Sequence, residues 1–152
     1  FVKFDVTQPA RDRAAAALGL LVHHLRRRPK RNPIAAYAAA FERHAEALAH
    51  RPPEYFHTYA FNTLRQVGAN FELLGTHLNW LDSQRGLFLA EAEAAANTIA
   101  EGAKVMQFRL ARAMARRRFD GMAEAIAPMA QAWDSLMAML DERLASSSSK
   151  AA

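Results

Sequence analysis

Arg65, Glu72, Lys104 and Gln107 are the side chains whose types and spacing could do chemistry on a small charged ligand. Phe61, Arg65, Gly68, Glu72, Gly75 and Asn79 step by three and four, so they share one face of a helix. Glycine in a helix interior costs roughly 1 kcal/mol against alanine. Gly68 and Gly75 therefore imply the close approach of another helix backbone. Arg65 and Glu72 stand two turns apart, too far to pair with ease, and need partners on a neighbouring helix. Lys104 and Gln107 share a face of a later helical stretch and can supply them. The structural reading is a buried network, Arg65–Glu72–Lys104–Gln107, that fixes helix register. Losing one member of such a network costs roughly 3–5 kcal/mol. The functional reading is an anion or carboxylate site lined by Arg65 and Lys104. A solvated polar face is the third.

The second chemical feature is basic. Arg109, Arg112 and Arg116 fall on one helical face, with Arg117 and Arg118 beside them. Arg26, Arg27 and Arg28 form another cluster with Lys30 and Arg31. The formal net charge is +5 and the isoelectric point near 10.1, which favours an acidic partner of some kind. Helix-end charges facing water would leave the same pattern. Nucleic acid ranks below an acidic protein, because neither exposed aromatics among the cations nor a recognition helix is evident.

Other chemistries have little footing. The chain has no cysteine, which removes disulfides and thiol nucleophiles. Glu54 and His57 make a single Glu-x-x-His pair, whereas a carboxylate di-iron bundle needs two such pairs and two further glutamates. His23, His24, His44, His50 and His77 form no second ligand set. No nucleophile elbow, triad motif or glycine-rich phosphate loop is present, so no catalytic machinery, metal or cofactor is expected in this chain.

The elements that must position these residues read as helices. Hydrophobic content of 51% over 152 residues is enough for one folded domain, and alanine, the strongest helix former, is abundant. Thr7 can cap a first helix, with Pro9 in its first turn and the stripe Ala14, Leu18, Leu21, Leu25. Pro29 stops it. Asn32-Pro33 opens a second, with Ile34, Tyr37, Phe41, Ala45 and Leu48 inward. A third covers about 53–82, with a seam from Phe56 through Leu64 and Leu78 to Leu81. A turn over Ser83–Gly86 leads to a fourth at roughly 87–117, with Ile99, Ala103, Met106, Leu110 and Ala113 inward. The fifth uses Met122, Ile126, Met129, Trp133, Leu136, Leu140 and Leu144, with Pro128 marking a kink or a late start. Short connections make the neighbours antiparallel.

The expected fold is all-α, an antiparallel bundle of about five helices over residues 7–145. The tail from Ser146 reads as frayed and disordered. FVKFDV alternates like a strand and has no partner, which implies that residues 1–6 are an extended segment left from a preceding domain of a longer polypeptide. No secretory or membrane-spanning run is present, so the expected location is the cytoplasm.

Five stretches in order carry a resemblance: FVKFD, NPIAAYAAAFERH, YAFNTLRQVGANFELLGTHLNWL, GAKVMQFRLARAM and MAQAWDSLMAMLDERL. They are similar to the C-terminal helical half of the bacterial domain-of-unknown-function family 1839, over about residues 1–145. The most specific pieces are Thr63–Gln66 with Gly68, Ala69 and Phe71–Leu73, and Gly102–Lys104 with Gln107, Phe108 and Leu110–Arg112. Arg65, Gln66, Glu72, Lys104 and Gln107 match the family pattern without an assigned role. Pro128 is less typical of it.

The resemblance implies a full-length protein about twice as long, whose missing N-terminal half resembles papain-like cysteine acyltransferases. It also implies neighbours encoded nearby: amino acid:carrier-protein ligases and small acidic carrier proteins. The leading expectation is then a helical accessory or docking domain of a carrier-protein-dependent acyl or aminoacyl transferase. A purely structural or oligomerisation bundle is the runner-up. A nucleic-acid-binding basic bundle, resting on charge alone, is the third.

Overall fold

The computed structural model describes residues 10–149, with side chains described over 13–145. The expected strand at 1–6, the Thr7 cap and Pro9 lie outside the described residues. Among the described residues every element is helical, and the antiparallel all-α bundle is as expected.

α1 (Ala10–Arg26) buries Ala14 and Leu21. α2 (Pro33–Ala49) starts where Asn32-Pro33 says it should: Asn32 Oδ1 accepts from the Ile34 and Ala35 amides at 2.9 and 3.1 Å. Asn32 Nδ2 also donates to the Ala130 carbonyl at 2.8 Å, so one side chain caps α2 and ties it to the last helix.

The third rod is continuous but not uniform. It comprises α3 (Tyr55–Ala60), a π-helical turn (Phe61–Arg65) and α4 (Gln66–Arg85), where a regular helix over 53–82 was expected. Phe56, Ala60 and Leu64 step by four twice. In an α-helix each such step drifts the seam by about 40°. The wider π turn absorbs that drift and returns Leu64, Leu78 and Leu81 to the core. The rod runs on through Arg85, and Gly86, at φ +61°, ends it in the left-handed conformation.

α5 (Ala90–Arg116) is the central helix, packing against α3, the π turn, α4 and α6 (Met122–Ser149). Its buried face is mostly Ala, with Ile99, Met106, Leu110 and Met114. Small side chains let the neighbours come close. A Cβ added at Gly75 would lie 2.6 Å from Asn97 Oδ1, and one at Gly102 would lie 2.5 Å from Met129 Cγ. At Gly68 it would make only ordinary contact, 3.4 Å from Ala103 Cβ. The expected approach of a neighbouring backbone is met at Gly68, where the Ala100 carbonyl oxygen would lie 3.6 Å from the added Cβ, whereas at Gly75 the nearest atoms belong to the Asn97 and Ala96 side chains. At the α4–α5 turn the Asp82 carboxylate accepts from the Phe88 and Leu89 amides at 2.7 and 3.1 Å, holding Phe88 at φ +56°.

α6 begins at Met122 with exposed Pro128 inside it, so a late start is excluded. Helix also continues through Ser146–Ser149, which were expected as a frayed tail. Once a helix is nucleated each added residue gains a backbone hydrogen bond, and serine costs only about half a kcal/mol in propensity. No helix among the described residues is long and apolar enough to cross a membrane.

Candidate functional site

The polar stripe that the sequence places beside the α4–α5 seam is not buried. No polar or charged residue among those described is buried. Lys104 Nζ lies 3.5 Å from Glu72 Oε2 across the two helices and 2.9 Å from Glu101 Oε1 on its own helix. The hydrogen bond to Glu101 holds the ammonium above the usual lysine range, and Glu72 adds to this. Gln107 Nε2 donates at 3.4 Å to the Ala103 carbonyl one turn back, and not across the seam. The Arg65 guanidinium sits 5.6 Å from the centroid of the exposed Phe61 ring, and Gln66 is exposed.

The expected four-member network is thus reduced to Glu72–Lys104–Glu101, at the rim of the seam. The physical reason is the closeness of the helices. Ala96, Ala100 and Ala103 fill the contact with Gly68 and Gly75, which leaves long side chains no room inside. Arg65 and Lys104, expected together around an anion, end on different partners.

The basic residues divide by what they touch. Arg28 is an anchor: Nη1 and Nη2 donate to the two Asp141 carboxylate oxygens at 2.8 and 2.5 Å, joining the end of α1 to α6. Arg26 and Arg27 are exposed beside it. Arg117 is the left-handed C-cap of α5 (φ 51°), and its guanidinium donates to the Ala49 carbonyl at the end of α2. Arg118 pairs with Asp120 at 3.2 Å.

Arg109, Arg112 and Arg116 are different. They are exposed on the outer face of α5, with no acid in salt-bridge range among the described residues. With Arg118 and Asp120 they line an open groove of about 370 Å³ where α5 turns into α6. Beside them on α5 stand Val105 and Phe108, the latter 70% exposed. Exposed aromatics among the cations, not evident from the sequence, are therefore present at Phe108 and Phe61.

One cluster escaped the sequence reading. Where α2 meets α3 and the π turn, His44 Nδ1 lies 2.8 Å from Tyr59 Oη, and Tyr59 Oη donates to Tyr37 Oη at 3.1 Å. Thr63 Oγ1, inside the π turn, donates to the Tyr59 carbonyl at 2.7 Å. Burial pushes both phenols above the ordinary tyrosine range. For Tyr59 the hydrogen bond with Tyr37 pushes further the same way; for Tyr37 the bonds with Tyr59 and Thr63 partly oppose it. The signal was available as Tyr37 and His44 seven apart on α2, with Tyr59 and Thr63 four apart on the next rod. Tyr37 instead reads as one more member of the apolar stripe.

Fold and surface together define an all-α antiparallel bundle with a basic, partly apolar outer face on its central helix. The family model for the DUF1839 C-terminal domain matches residues 10–142, and the chain belongs to that family. No curated protein and no solved structure matches it.

Proposed function

We propose that this domain docks an acidic carrier protein through the outer face of α5, as the helical accessory part of an acyl or aminoacyl transferase. The observation that carries the reading is the groove at the α5–α6 turn, where Arg109, Arg112 and Arg116 have no acid of their own. The packing of the bundle does not use these three exposed guanidinium groups, and an acidic partner would neutralise their mutual repulsion. Val105 and Phe108 add an exposed apolar strip beside the charge. Interfaces favour this combination of arginine with an aromatic side chain.

The test is a binding isotherm of a small acidic carrier protein against the wild type and the triple variant Arg109→Gln/Arg112→Gln/Arg116→Gln. Binding is expected at about 0.1 M salt and should be lost near 1 M, as the screening length falls from roughly 10 to 3 Å. It should also be lost in the triple variant at unchanged melting temperature. Absent binding at the lower salt, or affinity indifferent to the three substitutions, overturns the proposal. A tRNA run in parallel addresses the second reading, nucleic-acid binding, which the exposed Phe108 and Phe61 favour. Tight tRNA binding with a steep salt slope, and none with the carrier, would install that reading instead.

A further inference from the structure

We infer that the groove at the α5–α6 turn is a binding site for a phosphoryl dianion, free or carried on a docked partner. The inference rests on the docking reading only for the second of these sources.

Four guanidinium groups, Arg109, Arg112, Arg116 and Arg118, line one groove of about 370 Å³, with a single carboxylate, Asp120. Asp120 is already engaged by Arg118, through Nε at 3.3 Å and Nη2 at 3.2 Å. Three positive charges are left without a counter-charge. Positions 109, 112 and 116 rise roughly 4.5 and then 6 Å along the helix axis, so neighbouring arginines stand one turn apart. A single tetrahedral anion between two such side chains can be gripped from two sides.

The chemistry of the donors selects the class. A planar guanidinium fork matches two oxygens of a phosphate, and several uncompensated forks favour two negative charges over one. The rest of the lining suits this. Ala113 and Met122 are buried apolar residues at the groove wall. Gly121, at φ +71°, brings bare backbone to the same wall, just ahead of the first turn of α6. The positive end of that helix faces the same wall, where the Glu124 carboxylate, 4.0 Å from a Cβ built on Gly121, offsets part of its field, so the arginines supply most of the attraction. The α1 basic cluster also borders a groove, of about 460 Å³ with Arg26, Arg28 and Lys30 in its lining, but there Arg28 is already neutralised by Asp141, and only two cations are left against three at the α5–α6 turn.

The experiment is an NMR titration of the chain, with arginine Nε–Hε and backbone amides observed, against inorganic phosphate at constant ionic strength held with sodium chloride. Saturable shifts are expected at Arg109, Arg112, Arg116 and Gly121. Arg112→Gln, at an exposed position that leaves the core untouched, should weaken the response at least about tenfold, as the loss of a charge-assisted bond implies. Arg43→Gln, on the exposed face of α2, should leave it unchanged. Shifts that do not saturate, that spread equally to Arg43, or that survive Arg112→Gln would overturn the site. A second arm presents the phosphate as an ester on the carrier protein, beside the unmodified carrier. Stronger binding of the ester-bearing carrier, lost in Arg112→Gln, would assign the source to the partner. Equal binding of both carriers, with free phosphate still saturating, would assign the site to a free phosphate. Carrier binding without any phosphate response would retain the docking reading and end this one.

Discussion

Substituting Gly102 by alanine separates two opposing effects whose sizes the structure allows to be compared. Gly102 lies in the interior of α5, where alanine is favoured over glycine by about 1 kcal/mol. The new Cβ would stand 2.5 Å from Met129 Cγ and 3.0 Å from Met129 Sδ. Carbon atoms rest at roughly 3.5–4.0 Å, so Met129 must retreat by about 1 Å. Met129 is 3% exposed, and moving its Cγ moves everything beyond it into the packed core. Overpacking of this kind costs about 1–3 kcal/mol. Gly68→Ala gains the same propensity at an ordinary 3.4 Å contact with Ala103 Cβ. Gly102→Ala should therefore be less stable than Gly68→Ala by roughly 1–3 kcal/mol, and no more stable than the wild type. Urea unfolding followed by circular dichroism measures both, with a melting-temperature difference of about 3 °C per kcal/mol for a chain of this size. Equal stability of the two variants would show that Met129 does not brace α5 against α6 and would refute the packing argument.

Two further predictions concern stability. Asn32→Ala removes the cap on two α2 amides and the bond to the Ala130 carbonyl, and should cost about 1–2 kcal/mol in the same unfolding assay. Because Tyr37 and Tyr59 are held above the tyrosine reference value of 10.0, the unfolded chain releases these protons at lower pH than the folded one. Stability is then fully present below pH 10 and falls as pH rises beyond it. The urea midpoint should drop above about pH 10, and the double variant Tyr37→Phe/Tyr59→Phe should flatten that drop. An equally steep fall in the double variant would contradict the assignment.

The helices were legible because their signals are local. Asn32-Pro33 announces α2, Gly86 ends α4, and the inward stripes recur at helical spacing. The Phe56–Ala60–Leu64 spacing even contained the π turn, which only the drift of a four-residue step makes visible. What failed needed distance. A stripe flanking a seam looks the same in sequence whether it is buried or at the rim. The closeness of α4 and α5 decides that, and it drove Arg65 and Gln107 outward. The Arg28–Asp141 pair spans 113 residues, and the Arg117 guanidinium finds its acceptor, the Ala49 carbonyl, only where α2 ends. Arginines that read alike in sequence thus became anchors at 28 and 117 and free charges at 109, 112 and 116. The Tyr37–His44–Tyr59–Thr63 cluster was hidden because each member is unremarkable on its own helix.

The most direct test of the docking account is an NMR titration of the labelled chain with a small acidic carrier protein. The account predicts shifts concentrated from Val105 to Arg118, with Phe108 prominent, that vanish in the Arg109→Gln/Arg112→Gln/Arg116→Gln variant. Silence along this face at low salt, or shifts that persist in the variant, would contradict it and leave a purely structural bundle.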